Sequence, residues 1–209
     1  MKKIFLFSTI IIFASFILSC SEETKEAYYR FTSQDNKRLL SYSEGQVLKF
    51  YNQNNEERTF TIGGISTIKN QYTVGMGFFT SASSYYFYYD SKSINLFDSK
   101  MEQLFRIYFQ RWPLNTDLAK ENKYTEYPSK FSGTISWRFW NGDYLSVDYE
   151  QIKIEMSVNG KTYKNVFVLN SGNDSIIDVY RDVNVIYYDE TEGIIGFDDL
   201  NGNEWRLSN

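Results

Sequence analysis

Short runs of alternating hydrophobic and polar residues fill most of the chain, and turn-forming residues separate these runs. Alternation with a period of two is typical of a β-strand that buries one face. In the first half the pattern predicts strands over residues 27–32, 46–51, 57–62, 71–80, 84–89 and 93–97. In the second half it predicts strands over residues 131–140, 151–158, 161–170, 183–188, 194–200 and 203–207. The sequence therefore predicts an all-β fold with little helix after residue 26.

Three Asn-Gly pairs lie between the runs of the second half, at Asn141-Gly142, Asn159-Gly160 and Asn201-Gly202. An Asn-Gly pair tolerates the positive φ that both central positions of a type I′ turn require, and this turn joins two antiparallel strands. We therefore predict an antiparallel meander of hairpins that forms a β-sandwich or an open, partly closed barrel. In the first half, Gly63-Gly64 is expected to end the strand over residues 57–62.

Residues 101–112 fit two structures. A helix would place Met101, Leu104 and Tyr108 on one face, whereas a strand would place Phe105, Ile107 and Phe109 on one face. The strand is the better prediction, because the helix would leave Ile107 and Phe109 facing solvent.

The segment 113–128 is the one long polar interval of the chain, and prolines stand at both of its ends. A structureless loop of this length is uncommon in a compact domain. It is therefore either a loop with a short helix near residues 117–123 or a seam between two β units. We favour the loop, and hence a single β domain over residues 27–209.

The first twenty residues combine two lysines, an apolar block over residues 4–18 and a cysteine. The block is shorter than the roughly 20 residues that span a bilayer, so it is typical of a secretory signal. It ends in Ile17-Leu18-Ser19-Cys20, which resembles the lipobox of bacterial lipoproteins. That resemblance implies that residues 1–19 are removed as a signal peptide and that Cys20, the only cysteine, is lipidated and anchors the protein to a membrane.

Residues 20–26 then form a lipidated cysteine and a polar tether with three carboxylates and no apolar side chain after the cysteine. The tether resembles the acidic stretch that directs some lipoproteins of the Bacteroidota to the cell surface. Residues 159–168 and 185–207 also resemble the ends of uncharacterised Bacteroidota lipoproteins, which implies a shared β scaffold and no particular activity. No aspartate follows Cys20, so we expect the outer membrane, on its periplasmic or cell-surface side.

The net charge of the chain is −4, and removal of residues 1–19 with their two lysines lowers it to −6. Binding of nucleic acid requires a concentrated positive surface, and no Lys/Arg cluster occurs in this sequence. We therefore expect no nucleic-acid partner. The membrane, through the lipid on Cys20, and a glycan or protein ligand remain as partners.

Several kinds of catalytic site are excluded by residues that the chain lacks. It contains no histidine, and lipid is expected to occupy its only thiol, so Ser-His-Asp, Cys-His and typical zinc sites cannot form. No phosphate-binding or dinucleotide-binding glycine motif occurs, and no cofactor is expected. A carboxylate pair of the glycosidase kind remains as an alternative. The candidates are Asp148, Glu150, Asp189, Glu190, Asp198 and Asp199.

The spacing Asp199-x-Asn201-x-Asn203 matches the start of a calcium loop. It lacks the glycine and the distal glutamate of an EF-hand, and Asn201-Gly202 is already explained as a turn. We therefore predict no metal site.

Aromatic residues make up 19% of the chain, and five of them are consecutive at residues 85–89. In a strand this run places aromatic rings on both faces. Either both faces are covered, which we favour, or Tyr86 and Tyr88 form an exposed platform for a glycan or peptide. Trp137 is expected in the core and Trp140 at the surface, so Tyr86, Tyr88 and Trp140 are the candidate ligand-binding residues.

The sequence thus predicts a lipid-anchored, non-catalytic envelope lipoprotein with a binding or interaction role. If it recognises a ligand, we expect an aromatic sheet face to do so, rather than a charged pocket. A carboxylate-dependent glycan hydrolase and a carrier of an apolar ligand are the alternatives.

Overall fold

The structure, a computed structural model, describes residues 25–73, 86–100, 103–137, 144–171 and 183–208. These residues form twelve strands and two short helices. The strands are β1 Tyr28–Tyr29, β2 Val47–Tyr51, β3 Glu57–Thr73, β4 Tyr86–Phe97, β5 Gln103–Pro113, β6 Ser129–Trp137, β7 Tyr144–Val147, β8 Ile154–Val158, β9 Lys161–Asn170, β10 Val183–Asp189, β11 Gly193–Asp199 and β12 Glu204–Leu207. The helices are α1 Ser33–Arg38 and α2 Thr116–Glu121.

The strands form one sheet in the order β7-β6-β5-β4-β3-β2-β12-β11-β10-β9-β8. Each neighbouring pair in this order is antiparallel, whereas β1 pairs with β4 in parallel and places Tyr28 beside Tyr88. The final strand β12 joins the two halves, because Leu207 pairs with Phe50 of β2. The sheet curls into an open half-barrel, which confirms the prediction of an all-β antiparallel meander.

The concave face of the half-barrel holds the main hydrophobic core. Phe197 lies at its centre, with ring centroids 5.4 Å from Phe50, 5.6 Å from Phe105 and 6.0 Å from Phe60. Trp137 is 4% exposed and belongs to this core, as predicted. Burial of large rings from both halves of the chain is what holds the curved sheet together.

The N-terminal segment covers part of the concave face. Helix α1 begins after Thr32, whose hydroxyl accepts from the Asp35 backbone N–H while the Asp35 carboxylate accepts from the Thr32 N–H. This capping box satisfies two N–H groups that a helix start would otherwise leave unpaired. Beyond the helix, Leu40 is buried in the core, and its carbonyl accepts from the Lys92 ammonium at 2.7 Å.

Several of the sequence predictions about individual segments are wrong. The two strands predicted over residues 84–89 and 93–97 belong to the single strand β4, and β7 was not predicted. The pattern over residues 27–32 gives only the two-residue β1, and α1 was not predicted. Gly63-Gly64 does not end β3, because a register shift between Gly63 and Ile65 absorbs the pair as a bulge, with Gly64 at φ 68°. Asn201-Gly202 is not a type I′ turn, since only Gly202 has positive φ there, whereas both residues of Asn159-Gly160 do.

Both ambiguous segments have the structure that we favoured. Residues 103–113 are strand β5, paired with β4 and β6 along its length. The polar interval from residue 113 to 128 carries the short helix α2 and connects the neighbouring strands β5 and β6. Some predicted features lie outside the described residues, namely Cys20, residues 74–80, 84–85 and 101–102, Trp140 and Asn141-Gly142.

Candidate functional site

Two regions of the molecule present polar and aromatic side chains together at the surface. The first is the far end of the β3–β4 hairpin, which we call the arm: residues 69–73 of β3 and 86–90 of β4, which pair with each other. Strand β2 pairs with β3 only as far as Thr61, and β5 pairs with β4 only from Ser91. The arm therefore extends beyond its neighbours in the sheet, and β1 is its added strand.

One face of the arm is covered around Phe87. Phe87 is 0% exposed, and its ring packs against Tyr72 at 5.3 Å, Trp112 at 5.2 Å and Tyr29 at 5.4 Å. Ala119 of α2 completes this cluster. The long β5–β6 connection thus covers the outer face of the arm.

The other face carries the tyrosines that the sequence singled out. Tyr86 and Tyr88 are half-buried, with ring centroids 5.9 Å apart, and Tyr28 of β1 lies 6.3 Å from Tyr88. The structure matches neither predicted arrangement, in which both aromatic faces are covered or Tyr86 and Tyr88 form an exposed platform. One aromatic face is covered, and the face with Tyr86 and Tyr88 is partly exposed. Tyr28, Tyr86 and Tyr88, together with Lys69 and Lys123, are called the tyrosine surface below.

Ammonium groups lie over the rings of the tyrosine surface. The Lys69 Nζ is 3.7 Å from the ring centroid of Tyr88 and 4.6 Å from that of Tyr28. The Lys123 Nζ is 4.7 Å from the ring centroid of Tyr86. These are cation–π distances. The surface therefore combines aromatic rings with ammonium groups, a combination that the sequence pattern alone did not indicate.

Carboxylates hold the tyrosine hydroxyls in place. The Tyr86 hydroxyl donates to Glu26 Oε1 at 2.6 Å, and the Tyr28 hydroxyl donates to Asp90 Oδ1 at 2.6 Å. The hydrogen bond to Glu26 is the main cause that raises the pKa of Tyr86. Burial and the bond to Asp90 raise the pKa of Tyr28 to about 12. Both phenols therefore stay neutral at physiological pH and keep their hydrogen bonds.

The second region is a pocket of about 1070 Å³ at the mouth of the half-barrel, between α1, the ends of β5 to β7 and the turn that follows β7. Its lining residues come from four separate segments of the chain. They are Thr32, Ser33, Gln34, Asp35, Arg38, Arg111, Leu114, Lys130, Phe131, Ser132, Gly133, Ser146, Val147, Asp148, Tyr149 and Glu150.

One wall of this pocket is fixed by an ion pair. Arg111 donates to Asp35 Oδ2 at 2.8 Å, and its other nitrogens donate to the Ser129 hydroxyl and carbonyl, both at 3.1 Å. The side chain of Asp35 is only 3% exposed. A buried carboxylate needs such partners, so this pair ties α1 to β5 and gives the pocket a rigid polar wall.

An aromatic pair forms another wall. The rings of Tyr149 and Phe131 lie 5.1 Å apart, and the Arg38 guanidinium carbon lies 4.8 Å from the Tyr149 ring. Gly133 leaves room for the Tyr149 hydroxyl, because a Cβ at that position would come within 2.8 Å of it. Arg38 is itself held by Glu190 at 2.8 Å, and Lys153 also pairs with Glu190. Of these residues the sequence analysis singled out only Glu190, as a candidate carboxylate. The Thr32-to-Asp35 spacing of the capping box is the local signal that could have revealed α1.

Most of the carboxylates proposed for catalysis have structural partners elsewhere. Asp189 accepts from the N–H groups of Thr191 and Glu192, and Glu190 pairs with two cations. Asp198 accepts from Tyr187 and Arg206.

Asp148 and Glu150 are the two candidate carboxylates that line the pocket. Both are exposed, and Asp148 Oδ1 accepts from the backbone N–H of Glu150 at 3.0 Å. Asp148 thus helps to close the turn that follows β7.

Asp199, the carboxylate of the calcium-like spacing, also has structural hydrogen-bond partners. Asp199 accepts from the backbone N–H groups of Asn201 and Asn203 and from the Trp205 indole N–H at 3.0 Å. Among the described residues, no group of three or more His, Cys, Asp and Glu side chains converges as a metal site would require.

Within the same residues, neither helix is long and apolar enough to cross a membrane. Comparison of the chain with protein-family models, with curated proteins and with solved structures finds no match. The geometry of the chain itself is therefore the basis for a functional hypothesis.

Proposed function

We propose that the protein is a lipid-anchored, non-catalytic binding protein of the bacterial outer membrane, and that the pocket between α1 and β5–β7 holds its ligand. The anchor is supported by the lipobox-like sequence Ile17-Leu18-Ser19-Cys20 after an apolar block. The binding role is supported by the pocket. Its volume of about 1070 Å³ compares with the roughly 300–1,000 Å³ of typical small-molecule sites.

The lining favours a carbohydrate. The side chains of Ser33 and Gln34 both donate and accept hydrogen bonds, as the hydroxyls of a sugar do. The rings of Phe131 and Tyr149 add the apolar surface on which a sugar ring packs. An apolar cargo would leave these polar groups unpaired, so the lining disfavours the carrier alternative.

A non-catalytic role fits the carboxylates of the pocket. Asp35 is bound to Arg111 and to the start of α1, and Asp148 is bound within its own turn. A glycosidase needs two carboxyl groups held across the substrate, one as acid and one as base or nucleophile. Asp148 and Glu150 lie two residues apart on one exposed turn, on the same side of the pocket.

The test is binding of the purified mature domain to a printed array of oligosaccharides, followed by titration of the strongest binder. Gln34→Trp places a large ring in the pocket from α1, and we expect it to lower the affinity at least tenfold. Asn36→Trp is the matched control, since Asn36 is also exposed on α1 and does not line the pocket. If no oligosaccharide binds, or if both variants bind like the wild type, the pocket is not a carbohydrate site.

A second variant distinguishes a glycan hydrolase from a non-catalytic binding protein. Replacing Asp148 by Asn together with Glu150 by Gln removes both exposed carboxylates and keeps the pocket shape. We expect equal binding and no release of reducing sugar by either protein. Release of sugar by the wild type that the double variant abolishes would establish the hydrolase instead.

A further inference from the structure

The start of the folded domain is fixed next to the tyrosine surface. Ala27 is 1% exposed, its N–H donates to the Lys123 carbonyl, and its carbonyl accepts from the Tyr88 N–H at 2.9 Å. Glu26 is bonded to the Tyr86 hydroxyl. A chain spans at most about 3.5 Å per residue, so the six steps from Cys20 to Glu26 reach roughly 20 Å. If Cys20 carries lipid, the tyrosine surface is at the membrane-proximal end of the domain.

We infer that the tyrosine surface lies against the lipid headgroups of the membrane that anchors the chain. This inference rests on the lipid anchor proposed above. The headgroup region on each side of a bilayer is several ångströms deep, since the hydrocarbon core is about 30 Å and the whole bilayer about 40–45 Å thick. The short tether therefore keeps the surface within reach of the headgroups.

The side chains of the tyrosine surface suit that environment. Tyrosine is enriched at membrane–water interfaces, because its ring is apolar and its hydroxyl forms hydrogen bonds. The ammonium groups of Lys69 and Lys123 lie over the rings, from which they can reach lipid phosphates. Gln71 and Thr73 are exposed. In the β3–β4 register they are the cross-strand partners of Tyr88 and Tyr86, so they lie on the same face of the sheet as these tyrosines.

The charges on this surface favour zwitterionic lipid. Six charged side chains bond to or lie over the three tyrosines, and they are Arg30, Lys69, Lys123, Glu26, Asp90 and Glu126. Their charges cancel, so the electrostatic attraction to anionic lipid is weak. Salt, which screens such attraction, should therefore have little effect on the contact. The alternating signs match the phosphate and ammonium groups of phosphatidylethanolamine. Tethering converts such weak contacts into intramolecular ones, with an effective concentration of about millimolar.

The test uses the full lipidated protein in phosphatidylethanolamine/phosphatidylcholine vesicles. Since lipid occupies Cys20, a Cys introduced by Gln71→Cys is the one free thiol and accepts an environment-sensitive fluorophore. Ser99→Cys is the matched control, because Ser99 is an exposed polar residue in the turn that follows β4, at the end away from the arm. Nine residue steps along β4, at about 3.3 Å each, separate Tyr88, the partner of Gln71, from Phe97 by roughly 30 Å.

We expect lipid carrying a headgroup nitroxide to quench the fluorophore at position 71 at least threefold more than the one at position 99, at both 0.05 and 0.5 M salt. Adding Lys69→Glu and Lys123→Glu should reduce this difference while the protein still sediments with the vesicles. Equal quenching at both positions, or a difference that the double substitution leaves unchanged, overturns the inference. Co-sedimentation separates this outcome from failure of the anchor, in which no protein would sediment with the vesicles.

Discussion

Inside the half-barrel the rings pack mostly on other rings, whereas on the open face of the arm ammonium groups lie close over the rings. Phe197 contacts Phe50, Phe105 and Trp205 and is fully buried. Tyr88 contacts Tyr86 on one side and the Lys69 ammonium on another, and it stays half-exposed. The strand β4 contributes to both regions, since Tyr86 and Tyr88 lie on the same face as Ile94 and Leu96 by alternation.

The difference between the two regions comes from the neighbours that the sheet supplies. At Leu96, strands on both sides place Ile62 and Phe105 opposite it. At Tyr88, β3 places the polar Gln71 opposite it, and the short β1 is on the other side. Aromatic residues in one strand thus become core or surface according to the strands that flank them. The predictions below remove one partner at a time, from the largest expected effect to the smallest.

Removal of the central ring should be the most damaging change. Phe197→Ala leaves a cavity among fully buried rings, and such truncations cost about 3–5 kcal/mol of unfolding free energy. Tyr88→Ala in the half-exposed region should cost about 1 kcal/mol, since less surface returns to water. Urea unfolding followed by tryptophan fluorescence measures both values. Equal losses for the two variants would contradict the proposed difference between interior and arm.

The second largest effect on the unfolding free energy is expected at Asp199, and this effect should depend on pH. Burial raises the pKa of Asp199, but hydrogen bonds from Trp205, Asn203 and Asn201 outweigh burial, so the net pKa lies below the ordinary 3.8. The stability that Asp199 contributes is therefore complete above pH 3.8 and is lost as pH falls through its lower folded-state pKa.

Asp199→Asn tests this contribution. We expect the unfolding free energy to fall by about 2 kcal/mol at pH 7, because the Trp205 indole N–H and the Asn203 amide would face the new amide N–H group instead of an acceptor. The loss should shrink as pH falls below 3.8, where the carboxylate becomes protonated first in the unfolded and then in the folded wild type. Thermal unfolding at pH 2.5, 4 and 7 measures it, and a loss that is the same at all three pH values would refute the hydrogen-bonded carboxylate.

Loss of a cation over a ring should have the smallest effect. Lys69→Met keeps the aliphatic chain and removes the ammonium over Tyr88 and Tyr28, and exposed cation–π contacts contribute about 0.5–1 kcal/mol. Lys49→Met is the control, since Lys49 is also exposed on a strand and pairs with Glu57 at the surface. A loss above about 2 kcal/mol at Lys69 would mean that the tyrosine surface is part of the core.

Local pattern was enough to predict most of the strands. Alternation and the Asn159-Gly160 turn identified the β8–β9 hairpin, and the runs predicted over residues 183–188 and 194–200 correspond to β10 and β11. Helix α1 escaped prediction because its six residues are all polar and show no apolar period. The bulge at Gly63-Gly64 was not predicted, because two consecutive glycines can either end a strand or form a bulge within it.

The candidate sites could be predicted only in part, because they depend on contacts between distant segments. Alternation placed Tyr86 and Tyr88 on one face, but Lys69 reaches them through the β3–β4 register and Lys123 through the β5–β6 connection. The pocket is assembled by the Asp35–Arg111 pair, whose members are 76 residues apart in sequence. No pattern along the chain specifies such a pairing.

The lipid anchor at Cys20 is the claim on which the location and orientation of the protein depend. Cells grown with labelled palmitate and expressing the wild type or Cys20→Ala test it most directly. We predict that the wild type carries label and fractionates with the outer membrane, and that the variant carries none and leaves the membrane fraction. An unlabelled wild type, or a Cys20→Ala protein that still fractionates with the membrane, would contradict the account.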